Sequence, residues 1–377
     1  MSKCRIILSG GGTKCCYQIS FLKELLQSPH FKSRYHITEF YGTSFGALVG
    51  FCACLGEFDE LTQFFKTLTK DSLVPWFNMW GARDYLSKIP IIGYMMSLTI
   101  DLIWIMTSIG KKGMYNPKPG KEFLDKINIK NSDDKLKHFY CTVFNVSTNK
   151  SELIRGTHPL IKEYILASCS IWLLFPPKMI RRLRSECVCT HNCNCFHTIE
   201  SKYCTCDNTL HQFNEYIDGG LLDYIPLQPL KKDLHYINFS RNTTNNISYP
   251  TFPYTYILTV GNKYAMTVPT FPNSNTGSHL FEYLEKIISY LIDVRMSETL
   301  KKIKDEIRLY NLRKKIKIIY YSPPTDHIAD VNHKHIEQML EDGHNIGKNA
   351  LKIYKTEQIE QIEQIEQIEQ IEQIEQI

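Results

Sequence analysis

The chain has 377 residues, enough for one large domain or two ordinary ones, and its 43% apolar and 22% charged residues are the composition of a folded globular protein, which excludes a disordered polyampholyte. The formal charge of +5 hides an asymmetry: residues 357–377 are seven copies of Glu-Gln-Ile, and without them 44 basic residues face 32 acidic ones. So basic a body favours anionic partners such as phospholipid headgroups, nucleic acid or other polyanions, and charge alone does not choose among them.

Met1 to Gly12 offers no charged leader followed by a long apolar run and a small-residue cleavage site. A cytoplasmic location, peripheral to membranes where it meets its substrate, is the expectation, with the thirteen cysteines mostly reduced. Arg5-Ile6-Ile7-Leu8 reads as a buried strand stopped by Gly10-Gly11-Gly12. Cys15, Ile19, Leu22 and Leu26 then recur at helical spacing. Residues 31–36 look like a connection, 37–41 a second strand, and Gly42-Thr43-Ser44-Phe45-Gly46 leads into an apolar helix from about Ala47 to Leu55. A strand–helix–strand–helix unit of this length makes two adjacent parallel strands with a right-handed crossover.

Further on, 139–146 reads as a central strand, and Leu160–Ser170 as a helix ended by Phe175-Pro176-Pro177. Tyr216-Ile217-Asp218-Gly219-Gly220 resumes the sheet, followed by a strand at 256–260, a long helix over 279–310 and a strand at 316–321. The tail repeats every three residues whereas a helix turns every 3.6, so its isoleucines cannot form one lasting stripe, and disorder or a frayed helix is expected there.

Gly42-x-Ser44-x-Gly46 between a strand and a helix is the nucleophile-elbow pattern, in which glycines relieve crowding around a serine on a strained turn. A plain glycine turn is its bland alternative. If the first two strands are parallel neighbours, the loop Gly10, Gly11, Gly12 and Thr13 opens at the same sheet edge as Ser44 and can present N–H groups to an ester oxygen. Nucleotide readings fit poorly: Lys14 is followed by Cys15, where a phosphate loop needs Ser or Thr and a dinucleotide fingerprint needs Gly. Serine needs a base, and the elbow comes too early for the usual Ser, Asp, His order. No histidine sits in a context that nominates it, whereas Asp218-Gly219-Gly220 puts a carboxylate at a strand end.

Three ordered blocks, Gly10-Gly11-Gly12-Thr13-Lys14, Gly42-Thr43-Ser44-Phe45-Gly46 and Asp218-Gly219-Gly220, together with Ala167-Ser168-Cys169-Ser170 through Phe175-Pro176-Pro177, resemble the patatin-like phospholipase family over roughly residues 4–325. The resemblance implies an α/β patatin-like three-layer fold with a central, mostly parallel sheet flanked by helices. It implies a lipid acyl hydrolase of phospholipase A or lysophospholipase type, with a Ser44–Asp218 dyad, an acyl-enzyme, and no metal or cofactor for the chemistry. Two departures stand out: Cys15 where the family has glycine, and a cysteine-rich insertion before Asp218. Residues 1–325 are then the hydrolase domain, 185–210 an insertion within it, 326–356 a helical extension and 357–377 the low-complexity tail. The alternative from another class is an inactive patatin-like scaffold whose insertion binds zinc and partners.

In that insertion Cys187, Cys189, His191, Cys193, Cys195, His197, Cys204 and Cys206 crowd into a polar segment with no core of its own. Structural zinc is the expected stabiliser, with disulfides or an unbound loop as the alternatives. Lipid or phospholipid is the expected substrate and a membrane surface the expected partner; no nucleic-acid recognition motif accompanies the charge, and the oligomeric state is open. Ile89–Ile109 carries a broad apolar face with Asp101 on a narrow polar stripe, which suits an interfacial helix or lid, a core helix, or, less readily, a span. Eight basic and two acidic residues between Lys301 and Lys317 suit either anionic lipid or a solvated helix face.

Overall fold

The computed structural model describes residues 1–73, 113, 115–181, 183, 213–242, 252–261, 280–325 and 328–352. The expectations for 89–109, for the cysteine-rich segment 187–206 and for the tail 357–377 lie outside these residues. Strand β1 (Ser2–Leu8) ends at the triple glycine, and a 3-10 turn (Gly12–Cys15) leads into α1 (Cys16–Gln27). Where the sequence suggests a plain connection at 31–36, the chain instead forms a short helix, α2 (Pro29–Arg34). The physical reason is a start signal: the Ser28 side chain accepts the Phe31 N–H, and Pro29 fills the first position, where no N–H is needed. Strand β2 (Tyr35–Thr43) then feeds Ser44 and α3 (Phe45–Leu55), which Gly56 ends in the left-handed conformation at φ 90°. Helix α4 (Phe58–Thr67) closes this first unit.

The remaining strands are β3 (Phe139–Asn145), β4 (Lys150–Arg155), β5 (Lys178–Arg181), β6 (Phe213–Asp218), β7 (Tyr254–Val260) and β8 (Ile316–Tyr321). β3, β2, β1, β7 and β8 lie side by side and parallel, while β4 and β6 run antiparallel to β3, and β5 antiparallel to β6. This is a mixed α/β fold with a mostly parallel central sheet. Successive residues of β1 face opposite sides, as strand geometry demands. Cys4, Ile6 and Leu8 pack under α1, α3, α4 and the helix Ile161–Ser168. Ile7 packs with Tyr41 and Ile257 under the helices Gln228–Asn242 and Leu280–Leu309. Helices therefore cover both faces.

Strand β3 has two edges, and its register shows how they are shared. β4 occupies one along Tyr140–Asn145. β2 pairs with Phe139–Thr142 and β6 with Val143–Asn145, so these two strands must share the other edge in succession. They run in opposite directions and meet end to end: Thr43 lies opposite Thr142, and Asp218 opposite Val143, the next rung.

Residues 333–352 form a helix that belongs to the same core. Ile336 and Met339 are fully buried there, and the Tyr321 hydroxyl donates to Asp342 at 2.6 Å. Truncating a fully buried methionine to alanine costs roughly 2–5 kcal/mol. Met339→Ala is thus expected to lower the unfolding free energy by an amount in that range, through a lower denaturant midpoint at unchanged slope; a loss under about 0.5 kcal/mol would mean that this helix is not part of the cooperative core.

Candidate active site

Ser44 sits between β2 and α3 with φ 56° and ψ −135°, a strained conformation for a residue with a side chain. Such backbone costs on the order of 1–3 kcal/mol and persists only where its surroundings hold it. The hold is visible. The Ser44 N–H donates to Ser168 Oγ at 2.8 Å, and Ser168 Oγ donates in turn to the Thr142 carbonyl at 2.7 Å. Gly42 packs against Ala47 and Gly46 against the Ser9 carbonyl, so both expected elbow glycines lie where a side chain would collide with backbone. In the sequence Ser168 is one residue of the Ala167–Ser170 stretch; its clamp on the elbow depends on a contact 124 residues away, which no local pattern reveals.

Asp218 ends β6 on the rung beside Thr43 and Thr142, so the head-to-head meeting of β2 and β6 brings the two expected reactive residues together. Its N–H donates to the Ser170 carbonyl at 2.9 Å, and its Oδ1 accepts the Gly220 N–H at 2.6 Å. Both residues are buried, Ser44 at 1% exposure and Asp218 at 6%. Burial raises the Asp218 pKa from 3.8 to about 7, against the opposing pull of the Ser44 hydroxyl and the Gly220 N–H. Ser44 Oγ is thus close enough to favour the carboxylate, although it makes no fully formed hydrogen bond. Bonds of this kind are often long and poorly aligned until a substrate is bound. Among the described residues no histidine takes part: His335 pairs with Asp330, His344 with Glu24, and His158 accepts the Leu160 N–H.

The glycine loop abuts the elbow. A Cβ on Gly10 would stand 2.9 Å from Ser44 Cβ, and Gly12, at φ 57°, packs against the Ile328 carbonyl. Of the four residues expected to supply oxyanion donors, two have committed N–H groups: Gly10 donates to the Tyr224 carbonyl at 3.1 Å and Thr13 to the Ile328 carbonyl at 3.0 Å. The backbone acceptors arrive from residues more than 200 positions away, so the sequence could not show this. Gly11 and Gly12 have no backbone acceptor among the described residues, as befits the open start of a 3-10 turn. Lys14 is buried, donates to Ser289 Oγ at 2.7 Å and faces Asp293 at 3.8 Å, which ties the loop to the helix Leu280–Leu309.

Cys15 is fully buried with its thiol directed to the Ser9 carbonyl at 3.5 Å, and burial pushes its pKa far up. It packs there as a small apolar side chain, and burial disfavours its thiolate. Among the described residues no group of three His, Cys, Asp or Glu could hold a metal, and no helix is long and apolar enough to cross a membrane.

A serine on a strand-to-helix elbow at the edge of a mostly parallel, helix-covered sheet is a hydrolase architecture. The family model for Patatin-like phospholipase matches residues 6–231, and the chain belongs to that family, whose activity is in general lipid hydrolysis. Among solved structures, VipD from Legionella pneumophila is similar over 93% of this chain and 67% of its own, at 11% identity and a TM-score of 0.39. No curated protein matches the chain in sequence.

The raised pKa has a consequence for stability. Between pH 3.8 and about 7 the folded chain holds the Asp218 proton that the unfolded chain has released, so this residue's contribution falls as pH rises through that window. A shift of this size corresponds to about 4 kcal/mol at the alkaline end. Asp218→Asn is therefore expected to melt above the wild type at pH 8, with the gap closing toward pH 4. An Asn variant that melts below the wild type at pH 8 would contradict the buried-carboxylate description.

Proposed function

We propose that the protein is a lipid acyl hydrolase of the phospholipase A or lysophospholipase type, with Ser44 as nucleophile and Asp218 as its base. The observation that carries this reading is the end-to-end meeting of β2 and β6, which sets a strained serine, one residue past the Thr43–Thr142 rung, beside the carboxylate that ends β6 on the next rung. Asp218 takes the hydroxyl proton as Ser44 Oγ attacks the ester carbonyl. The N–H groups of Gly11 and Gly12 meet the developing oxyanion, each such donor being worth roughly 3–4 kcal/mol. As the tetrahedral intermediate collapses, the proton on Asp218 passes to the departing alcohol oxygen and an acyl-Ser44 ester remains. Water then gives its proton to Asp218, attacks the acyl carbon and releases the fatty acid, with the proton returning to Ser44.

A carboxylate in water is too weak a base for a serine hydroxyl. Burial that lifts Asp218 to about 7 brings its basicity to that of an imidazole, which supports direct proton transfer without a histidine. Beside the elbow, Phe45, Leu48, Leu124, Ile165, Leu166 and Phe175 line an apolar cavity that also reaches Ser170. Its apolar lining suits the first carbons of an acyl chain, and its volume of about 50 Å³ is too small for a whole one.

A fluorophosphonate probe is expected to form one adduct, at Ser44, and none in Ser44→Ala. Asp218→Asn should lower kcat/KM by at least about a hundredfold while leaving the circular dichroism spectrum native. In the wild type, kcat/KM should rise with pH through about 7 and then level off, because the base must be ionised to act. Labelling at another residue, or a flat pH profile between 5 and 8, would overturn the dyad.

A further inference from the structure

Two loops leave the active-site edge from one hydrogen-bonded rung, the Asp218 N–H on the Ser170 carbonyl. One runs from Ile171 to Phe175, the other from Gly219 to Asp223. Trp172 is two residues and Leu221 three residues from that rung, so their Cα atoms lie within about 8 and 11 Å of it. The first loop is a tight turn in which the Leu174 and Phe175 N–H groups both donate to the Ile171 carbonyl, at 3.0 and 2.9 Å. Ile171, Leu174 and Phe175 point inward, into a cluster with Leu73, Tyr115 and Ile328. The tip between them points out, with Trp172 59% and Leu173 38% exposed. Leu173 is held there at φ 69°, a conformation a leucine rarely adopts unless its neighbours enforce it. On the second loop Leu221 and Leu222 are 46% and 45% exposed. Scattered exposed apolar side chains are ordinary, but here four large ones fall on two short loops that leave one rung beside a buried carboxylate.

We infer that Trp172, Leu173, Leu221 and Leu222 are the surface by which the protein docks on a phospholipid bilayer, seating the active-site edge at headgroup level. This rests on the proposed lipid ester hydrolysis, whose substrate resides in such a bilayer. Tryptophan and leucine on rigid tips suit the boundary between headgroups and acyl chains, where an indole is half in each. The basic stretch between Lys301 and Lys317 is placed elsewhere. β8 starts at Ile316, and Lys315 Nζ lies over the ring of Tyr254, the first residue of β7, at 4.2 Å. The parallel strands start at the edge opposite the elbow, so this stretch and the four apolar residues cannot meet the same flat membrane. Docking by the tips therefore does not draw on it, and zwitterionic lipid is sufficient.

The test separates docking from catalysis. Ser44→Ala protein is mixed with large unilamellar phosphatidylcholine vesicles, and the bound fraction is read by flotation. Binding is expected, and adding Trp172→Ser with Leu221→Ser should weaken it about tenfold, whereas Trp172→Phe should retain it. In the Ser44 background, the double variant should lose vesicle hydrolysis to a similar degree and keep its turnover of a monomeric short-chain ester. Undiminished vesicle binding by the folded double variant would overturn the inference, as would an equal loss on both substrates. A change of oligomeric state with unchanged vesicle binding would assign the patch to a second copy of the chain and would also overturn it. Because flotation uses protein without the Ser44 hydroxyl, its outcome does not depend on whether Ser44 is the nucleophile.

Discussion

The active-site edge is built on one constraint, the sharing of a single edge of β3 by two strands that run toward each other. β2 can pair with β3 only as far as Thr43, because β6 holds the next rung with Asp218. At that junction neither strand can continue in the plane of the sheet. β2 escapes through Ser44 at φ 56°, and β6 escapes into the 3-10 turn Gly219–Leu221. Gly219 passes so close over the Thr142 carbonyl that a side chain there would overlap it. Ser168 fills the remaining gap, accepting from the Ser44 N–H and donating to that same carbonyl. Strain, proximity and clamping are thus three results of one collision in the sheet.

The collision also sets the electrostatics. A carboxylate buried at a junction between helices on both faces loses hydration, and among the described residues it gains no cation. The chain satisfies the charge only in part, with one backbone N–H and the serine hydroxyl. Adding a basic partner would stabilise the fold and lower the pKa, making Asp218 a poorer base. Lys14 shows that the chain can bury a cation close by, yet its ammonium is turned to Ser289 and Asp293 on a helix of the opposite layer. The positive charge thereby anchors the glycine loop while staying off Ser44 and Asp218. Stability and basicity pull against each other at Asp218, and the arrangement keeps the basicity.

How much of this could be read in advance depended on the range of the interaction. Outside residues 28–36, the first 55 residues are legible because glycines punctuate them: Gly10-Gly11-Gly12 after β1, Gly42 and Gly46 about the elbow, Gly56 after α3. The parallel pairing of β1 with β2 followed from the intervening helix, and it did place the glycine loop beside Ser44. Asp218 was nominated by the glycines that follow it, which the structure explains by the close passage over Thr142. The helix Pro29–Arg34 was missed although Ser28-Pro29 announces it, since its six residues show too little apolar periodicity to weigh against a connection. Commitments made across the chain were not legible at all. The donors of Gly10 and Thr13 look identical to those of Gly11 and Gly12 until Tyr224 and Ile328 arrive to claim them.

Those distant contacts extend the candidate site beyond the family match. The family match ends at residue 231, but the acceptor for Thr13 is Ile328, and the anchor for Lys14 lies in the helix Leu280–Leu309. Gly343 packs on the Tyr17 carbonyl and His344 reaches Glu24 at 2.7 Å, so the helix over 333–352 lies directly on α1, the helix that the glycine loop opens. Removing Gly10 and Thr13 from the pool of donors also orients the loop: with one N–H tied down on each side, the intervening peptide groups of Gly11 and Gly12 have little freedom left to turn away. Preorganised donors serve a transition state better than mobile ones, because they need not reorganise when charge appears. The part of the chain beyond the family match therefore helps to fix the geometry of the part within it, through Ile328 on Thr13 and the helix Leu280–Leu309 on Lys14.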